Sequence, residues 1–349
     1  MSANPGASPG GILCICILYQ DSHVARRPFS VYVQDMALNI RDNVLLSQHT
    51  VFKIGGPASF FVEVKSGQEL KEALGFAKEK AAPFFIAGAG SNILVSDKGF
   101  EGLYIKNTAS NISIEGEEMH CESGAMMPYA AAKAADAGLS GFEWGIGIPG
   151  TVGGSVRGNS GCFGGEMKDA LRSAEVFDAN DGTVKTFSNA DCKFGYRDSV
   201  FKKMPHLIVT SAVFLLKKGD ADEIRGRMRE FVEKRTASQD IGEKCAGCIF
   251  KNVPWTRRDI NKDKLLKRFP VFKKSESEPG VSAGFLIDEA GLKGKRIGSA
   301  MISRKHANFF INTGEALAED VVMLIALAKE HVHRKFGILL EEEIQYVGF

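Results

Sequence analysis

Three short segments of this chain hold side chains able to do acid–base or electrostatic chemistry, and they lie far apart in sequence. Tyr196-Arg197-Asp198-Ser199 offers a permanently charged, forked guanidinium that can grip a carboxylate with two hydrogen bonds, or can simply pair with its neighbour Asp198 at the surface. Cys245-Ala-Gly-Cys248 offers two thiols. Zinc would require a second pair at matching spacing, and a thioredoxin-like site would require its surrounding fold pattern; the sequence carries neither. That leaves a pair of ordinary thiols, or one thiol that donates a proton, since a free cysteine with pKa ~8.5 is mostly protonated at neutral pH. Glu341-Glu342-Glu343 is a solvated charge run or holds a carboxylate in a site as an acid of shifted pKa. Strand alternation would put Glu341 and Glu343 on one face and Glu342 on the other.

Two glycine-rich loops are the next candidates. Between Gly145 and Gly165, nine of 21 residues are glycine, which disfavours regular structure and lets bare N–H groups approach a bulky anion such as a pyrophosphate. Gly145-x-Gly147-x-x-Gly150 fits the dinucleotide fingerprint, but that motif needs a strand before it and a helix opening after it. Upstream, Met127–Gly138 reads as a helix with Pro128 in its first turn and Gly138 as its stop. Downstream, the glycines at 153, 154, 158 and 161 weaken any helix, so a Rossmann site is not expected. The second loop, Gly88-Ala89-Gly90-Ser91-Asn92, directly follows the strand Phe84–Ala87 and adds side-chain donors at Ser91 and Asn92. Tight turns are the alternative for each loop alone. The pair would suit one dinucleotide pyrophosphate held between two domains.

The elements that must position these groups follow from pattern. At 349 residues the chain exceeds one ordinary core, so two or three domains are expected. A strand at 60–64, a helix at 68–80 and a buried strand at 84–87 make an α/β unit. Residues 112–217 are mostly strands, with a hairpin turning at Asn180-Asp181-Gly182. A charged helix over 221–236 opens a further domain, a long helix spans 315–336, and a strand over 338–347 closes the chain. Charged residues at 25%, hydrophobic residues at 44% and a net charge of +2 describe an ordinary globular protein without a nucleic-acid partner. The early apolar run Ile12–Tyr19 is too short to cross a bilayer and lacks the flanks of a signal peptide. Residues 1–35 read as a disordered extension or an over-extended start. Seven irregularly spaced cysteines suit a reducing cytoplasm.

Taken in order, the motifs resemble one family. They run through Thr50-Val-Phe-Lys-Ile-Gly-Gly-Pro-Ala58, Gly88 to Asp97, Ile148-Pro149-Gly150-Thr-Val-Gly153-Gly154, Asn159 to Gly164, Phe194 to Ser199, Ala246 to Asn252, Ala283 to Asp288, Gly291 to Gly294 and Leu340 to Ile344. From about residue 40 to its end the chain resembles the MurB-type UDP-N-acetylenolpyruvoylglucosamine reductases.

That resemblance implies an α+β fold of three domains. Two, at 36–106 and 107–218, would form an FAD-binding module of the vanillyl-alcohol-oxidase type. A substrate-binding α/β domain at 219–337 would follow, with 338–349 returning to the FAD module. It implies reduction of the enolpyruvyl ether of UDP-N-acetylglucosamine enolpyruvate to a lactyl ether, with NADPH as reductant and tightly bound FAD, in a monomeric cytoplasmic enzyme without metal or membrane partner. FAD would sit at Gly88, Ala89, Gly90, Ser91, Asn92, Ile148, Pro149, Gly150, Gly153, Gly154 and Gly161. Arg197 and Glu343 would stabilise the enolic intermediate, and Cys248 would stand where the family's proton-donating serine usually is. Tyr196, Arg235, Asn252 and Lys293 would bind substrate. The family's arginine two residues beyond the glutamate is replaced here by Gln345. Cys245 beside Cys248 raises the expectation of a disulfide that stops turnover. A vanillyl-alcohol-type FAD oxidase and a non-catalytic nucleotide-binding descendant are the competing readings.

Overall fold

The computed structural model describes residues 38–349; the extension expected at 1–35 lies outside the described residues. A four-stranded sheet is apolar on both faces, which accounts for the Phe- and Val-rich runs of its strands. Its order is Arg41–Leu45, Pro57–Val64, Phe100–Asn107, Phe84–Ala87. The first pair is antiparallel and the others are parallel. The helix Gly67–Glu79 supplies a crossover that parallel neighbours need, and Ser66 caps it by accepting from Glu69 N at 3.1 Å. Leu70, Ala73 and Leu74 of this helix pack on Val62, Val64, Leu103 and Ile105. The opposite face buries Phe61, Ala87, Ile93, Val95 and Tyr104, joined by Val347 from the far end of the chain. Phe84–Ile86, expected to be buried, are only half-buried because they help to line a cavity.

The second core lies against a five-stranded antiparallel sheet in the order Val184–Ser188, Leu171–Asp178, Leu207–Leu215, Glu118–Glu122, Ile112–Glu115. The expected hairpin joins its first two strands. The second glycine loop corrects the sequence reading in one respect. A helix does form over Val152–Gly158, because tertiary partners take up its first N–H groups. Val152 N donates to Ala125 O and Gly153 N to Ser123 O, each at 2.8 Å, while Val152 and Val156 are fully buried. Asn159 ends the helix at φ +42°, a left-handed conformation that asparagine tolerates. The fingerprint still fails upstream, where a short 3-10 turn, Glu143–Gly147, stands in place of a strand.

The charged helix Ala221–Ser238 also behaves differently from expectation. Rather than opening the third core, it packs Met228 and Phe231 on the second. Phe231 stacks on Phe163 with ring centroids 4.8 Å apart, and Arg227 Nη2 donates to buried Glu143 at 2.7 Å.

The third core fills the space between a four-stranded sheet (Cys245–Cys248, Phe309–Asn312, Ala300–Ile302, Arg296–Ile297) and the helices Ala283–Glu289 and Ala318–Phe336. In the long helix Val321, Leu324, Ile325, Ala328 and Val332 recur at helical spacing and are buried, and Gly337 ends it at φ +73°. Phe52, Ile54 and Leu94 from the first module enter this core. The closing strand is shorter than expected: only Gln345–Val347 is regular, pairing in parallel with Ile93–Val95. Without strand geometry at 341–343 the predicted alternation does not hold. Glu341 is exposed beside Lys251 and Arg257, Glu342 meets Lys329, and Glu343 turns inward.

Candidate active site

The two glycine loops both line a cavity of about 800 Å³. Loop 88–92 leaves the end of a parallel strand, and loop 148–154 leads into the glycine helix. Their glycines divide by cause. A Cβ on Gly88 would stand 2.2 Å from Thr151 Oγ1, and one on Gly153 would stand 2.7 Å from Ser123 Cβ, so these two are fixed by packing of the protein itself. A Cβ on Gly154 would meet only Thr151 Oγ1, at an ordinary 3.6 Å, yet Gly154 lines the cavity. The backbone N–H groups of Ala89, Gly90, Ser91 and Asn92 have no backbone acceptor among the described residues. Bare donors, glycines open to the void and a volume of this size fit a large dinucleotide with an anionic centre. Every residue expected in the cradle lines the cavity. Asn92 departs in detail, since its amide donates to Glu343 O at 3.2 Å.

Arg197, Cys248 and Glu343 come together on the same wall. Arg197 Nε stands 3.0 Å from Glu343 Oε1 and Nη2 donates to Gly161 O at 2.8 Å. Asp198 pairs with Lys203 instead, so the surface alternative for Arg197 is not realised. Arg197 sits at φ +52°, a conformation costly for a non-glycine residue. The Lys202 ammonium holds it by donating to Arg197 O at 2.7 Å. Glu343 is anchored by its backbone N–H to Ile249 O at 2.8 Å. Burial raises its pKa against the opposing pull of Arg197. Cys248 closes the strand at 245–248, where Gly247 at φ +69° interrupts the ladder. Burial and then the Glu343 charge push its thiol up to about 12, so it stays protonated. Cys245 and Cys248 are both free thiols.

Of the four residues expected at substrate, Arg235 lines the main cavity from the end of its helix. Tyr196 and Asn252 line a smaller hollow of about 250 Å³ with Lys251, Pro254, Arg257 and Glu341, and Asn252 N donates to Tyr196 Oη at 3.2 Å. Lys293 is not brought to either cavity; its ammonium is held by Asp288 at 2.6 Å, within the same turn of chain. Sequence reasoning missed Arg157 and Lys202, which both line the main cavity. For Arg157 a signal existed, because it is the one charge between Gly145 and Gly165.

Residues 239–347 match the family described as the C-terminal domain of UDP-N-acetylenolpyruvoylglucosamine reductase, and residues 58–188 match an FAD binding domain. The chain is 41% identical over 323 residues to the UDP-N-acetylenolpyruvoylglucosamine reductase of Caldicellulosiruptor bescii, covering 92% of this chain and 94% of that protein. It is 42% identical over 312 residues to the one from Carboxydothermus hydrogenoformans, covering 88% and 94%. The crystal structure of the reductase from Thermus caldophilus superimposes with a TM-score of 0.70 at 36% identity, covering 89% of this chain and all of that one.

Proposed function

Because the chain belongs to the UDP-N-acetylenolpyruvoylglucosamine reductase family, we propose that it reduces UDP-N-acetylglucosamine enolpyruvate to UDP-N-acetylmuramate, with NADPH as the source of electrons. The observation that carries this reading is the Arg197–Glu343 pair at 3.0 Å opening on the same cavity as a protonated Cys248. The loops at 88–92 and 148–154, with Gly161, would hold FAD, which when bound and reduced by NADPH would supply the hydride for the methylene carbon of the enolpyruvyl group.

The rest of the chemistry falls to side chains. Hydride arrival pushes an electron pair toward the substrate carboxylate, and Arg197 lowers the cost of that charge by hydrogen bonds made before the reaction begins. Its guanidinium needs no reorganisation, because Glu343 and Gly161 already fix it. Cys248 then gives its proton to the carbon that carries the carboxylate, and the thiolate is reprotonated from solvent. Tyr196, Arg235 and Asn252 supply polar contacts to the UDP-sugar; Lys293 reaches it only if it leaves Asp288.

The test is direct. Purified protein should be yellow and should oxidise NADPH only when the enolpyruvyl UDP-sugar is added. A colourless protein would overturn the reading, as would turnover with alcohols and oxygen, which belongs to the competing flavin oxidases.

A further inference from the structure

Charge on the cavity wall is strongly unbalanced. Among the described residues Arg157, Arg197, Lys202 and Arg235 line it, against the single carboxylate of Glu343. Glu343 is taken by Arg197. Arg157 has a neutral partner instead: its Nη1 donates to Gln345 Oε1 at 2.5 Å. An amide oxygen can hold a guanidinium in place without cancelling its charge, which a carboxylate would do. Arginine stays charged at any physiological pH, and four of its five N–H donors remain after the bond to Gln345. A half-buried, oriented and uncompensated cation on a ligand cavity is costly unless a ligand supplies the anion.

Position decides which anion. Gln345 lies two residues beyond Glu343 and draws the Arg157 side chain toward that end of the cavity. The backbone carbonyl of Arg157 accepts from Ser199 Oγ at 2.7 Å, which ties the glycine helix to the segment that carries Arg197. The loops with bare N–H groups would serve a pyrophosphate, which leaves the Arg157 cation, held by Gln345 two residues from Glu343, for an anion at the reacting end.

We propose that Arg157, oriented by Gln345, binds the carboxylate of the enolpyruvyl substrate and so distinguishes it from the same UDP-sugar without that group. This rests on the reductase reading. Arg197 then holds the developing charge, while Arg157 selects for the carboxylate from the start.

Flavin absorbance titrations of the holoenzyme test it with two ligands, the enolpyruvyl UDP-sugar and UDP-N-acetylglucosamine. Arg157→Gln should weaken the first by about 10- to 100-fold and leave the second unchanged. Arg157→Lys should fall between, since it keeps charge but loses the fork. Gln345→Glu should copy Arg157→Gln, because it neutralises the guanidinium without removing it. Equal weakening of both ligands would assign Arg157 to the shared UDP-sugar and overturn the inference. So would unchanged binding of both, or a shifted flavin reduction potential with an unchanged ratio of affinities. Failure of the wild-type protein to oxidise NADPH with the substrate would sink the reductase reading instead; the affinity ratio is measured without turnover.

Discussion

Cys248 keeps its proton because its thiol is withdrawn from water and faces Glu343, and both effects raise its pKa, to about 12. The sign matters for activity. A donor whose pKa is raised is present in its active, protonated form at low and neutral pH and is lost only as pH climbs toward that value. Wild-type kcat should therefore show no alkaline limb from this group below about pH 10, whereas an ordinary thiol would give one near 8.5. A limb near 8.5 that disappears in Cys248→Ser would contradict this. Cys248→Ala should lower kcat by about 10²–10⁴-fold while reduction of the bound flavin by NADPH continues at its normal rate, and Cys248→Ser should retain turnover. Stopped-flow measurement of the two half-reactions separates these outcomes. The residue types were legible in sequence; their states were not. Whether Arg197 met Asp198 or Glu343 depended on a left-handed turn at Arg197 and on a partner from the other end of the chain.

Glycines at the level of elements do two jobs that composition cannot separate. Gly88 is required by Thr151 packing against it, and Gly154 by nothing in the protein. Gly88→Ala should lower the melting temperature of the FAD-free protein. Gly154→Ala, inside a helix, should leave that temperature unchanged or raise it, by up to about 1 kcal/mol of stability, yet weaken FAD retention. Scanning calorimetry of the apoprotein and flavin content after dialysis give the two readouts; normal FAD retention by Gly154→Ala would remove this glycine from the cradle. The helix over Val152–Gly158 was illegible for the same reason. Its glycines argue against helix locally, and Ser123 and Ala125, distant in sequence, accept its first N–H groups. The last strand shows the converse: the sequence from Ile338 to Val347 reads as one strand, but only the three residues beside Ile93–Val95 find a ladder partner there.

At the scale of the whole molecule, separate stretches of chain complete one another. The long helix Ala318–Phe336 begins after Leu317, which has no capping side chain, and Asp97 from the first module caps it by accepting from Ala318 N at 2.9 Å and Glu319 N at 3.2 Å. Asn312 Nδ2 likewise donates to Phe52 O at 3.1 Å. Asp97→Ala should cost about 0.5–2 kcal/mol, and the loss should appear in one cooperative transition, because Phe52, Ile54 and Leu94 share the core beneath that helix. Chemical denaturation followed by both tryptophan fluorescence and circular dichroism checks it; two separated transitions would show the modules to be independent. By itself the sequence determined the glycine loops, the hairpin, the two long helices and the residue types able to do the chemistry, since each of these is written in local spacing or in the family's order of motifs. Tertiary structure alone decided that Glu343 and not Glu341 turns inward, that Lys293 stays with Asp288, and that Arg157 joins the cavity through Gln345. Those outcomes rest on contacts between residues up to hundreds of positions apart, and no local pattern encodes the charge balance that such contacts create.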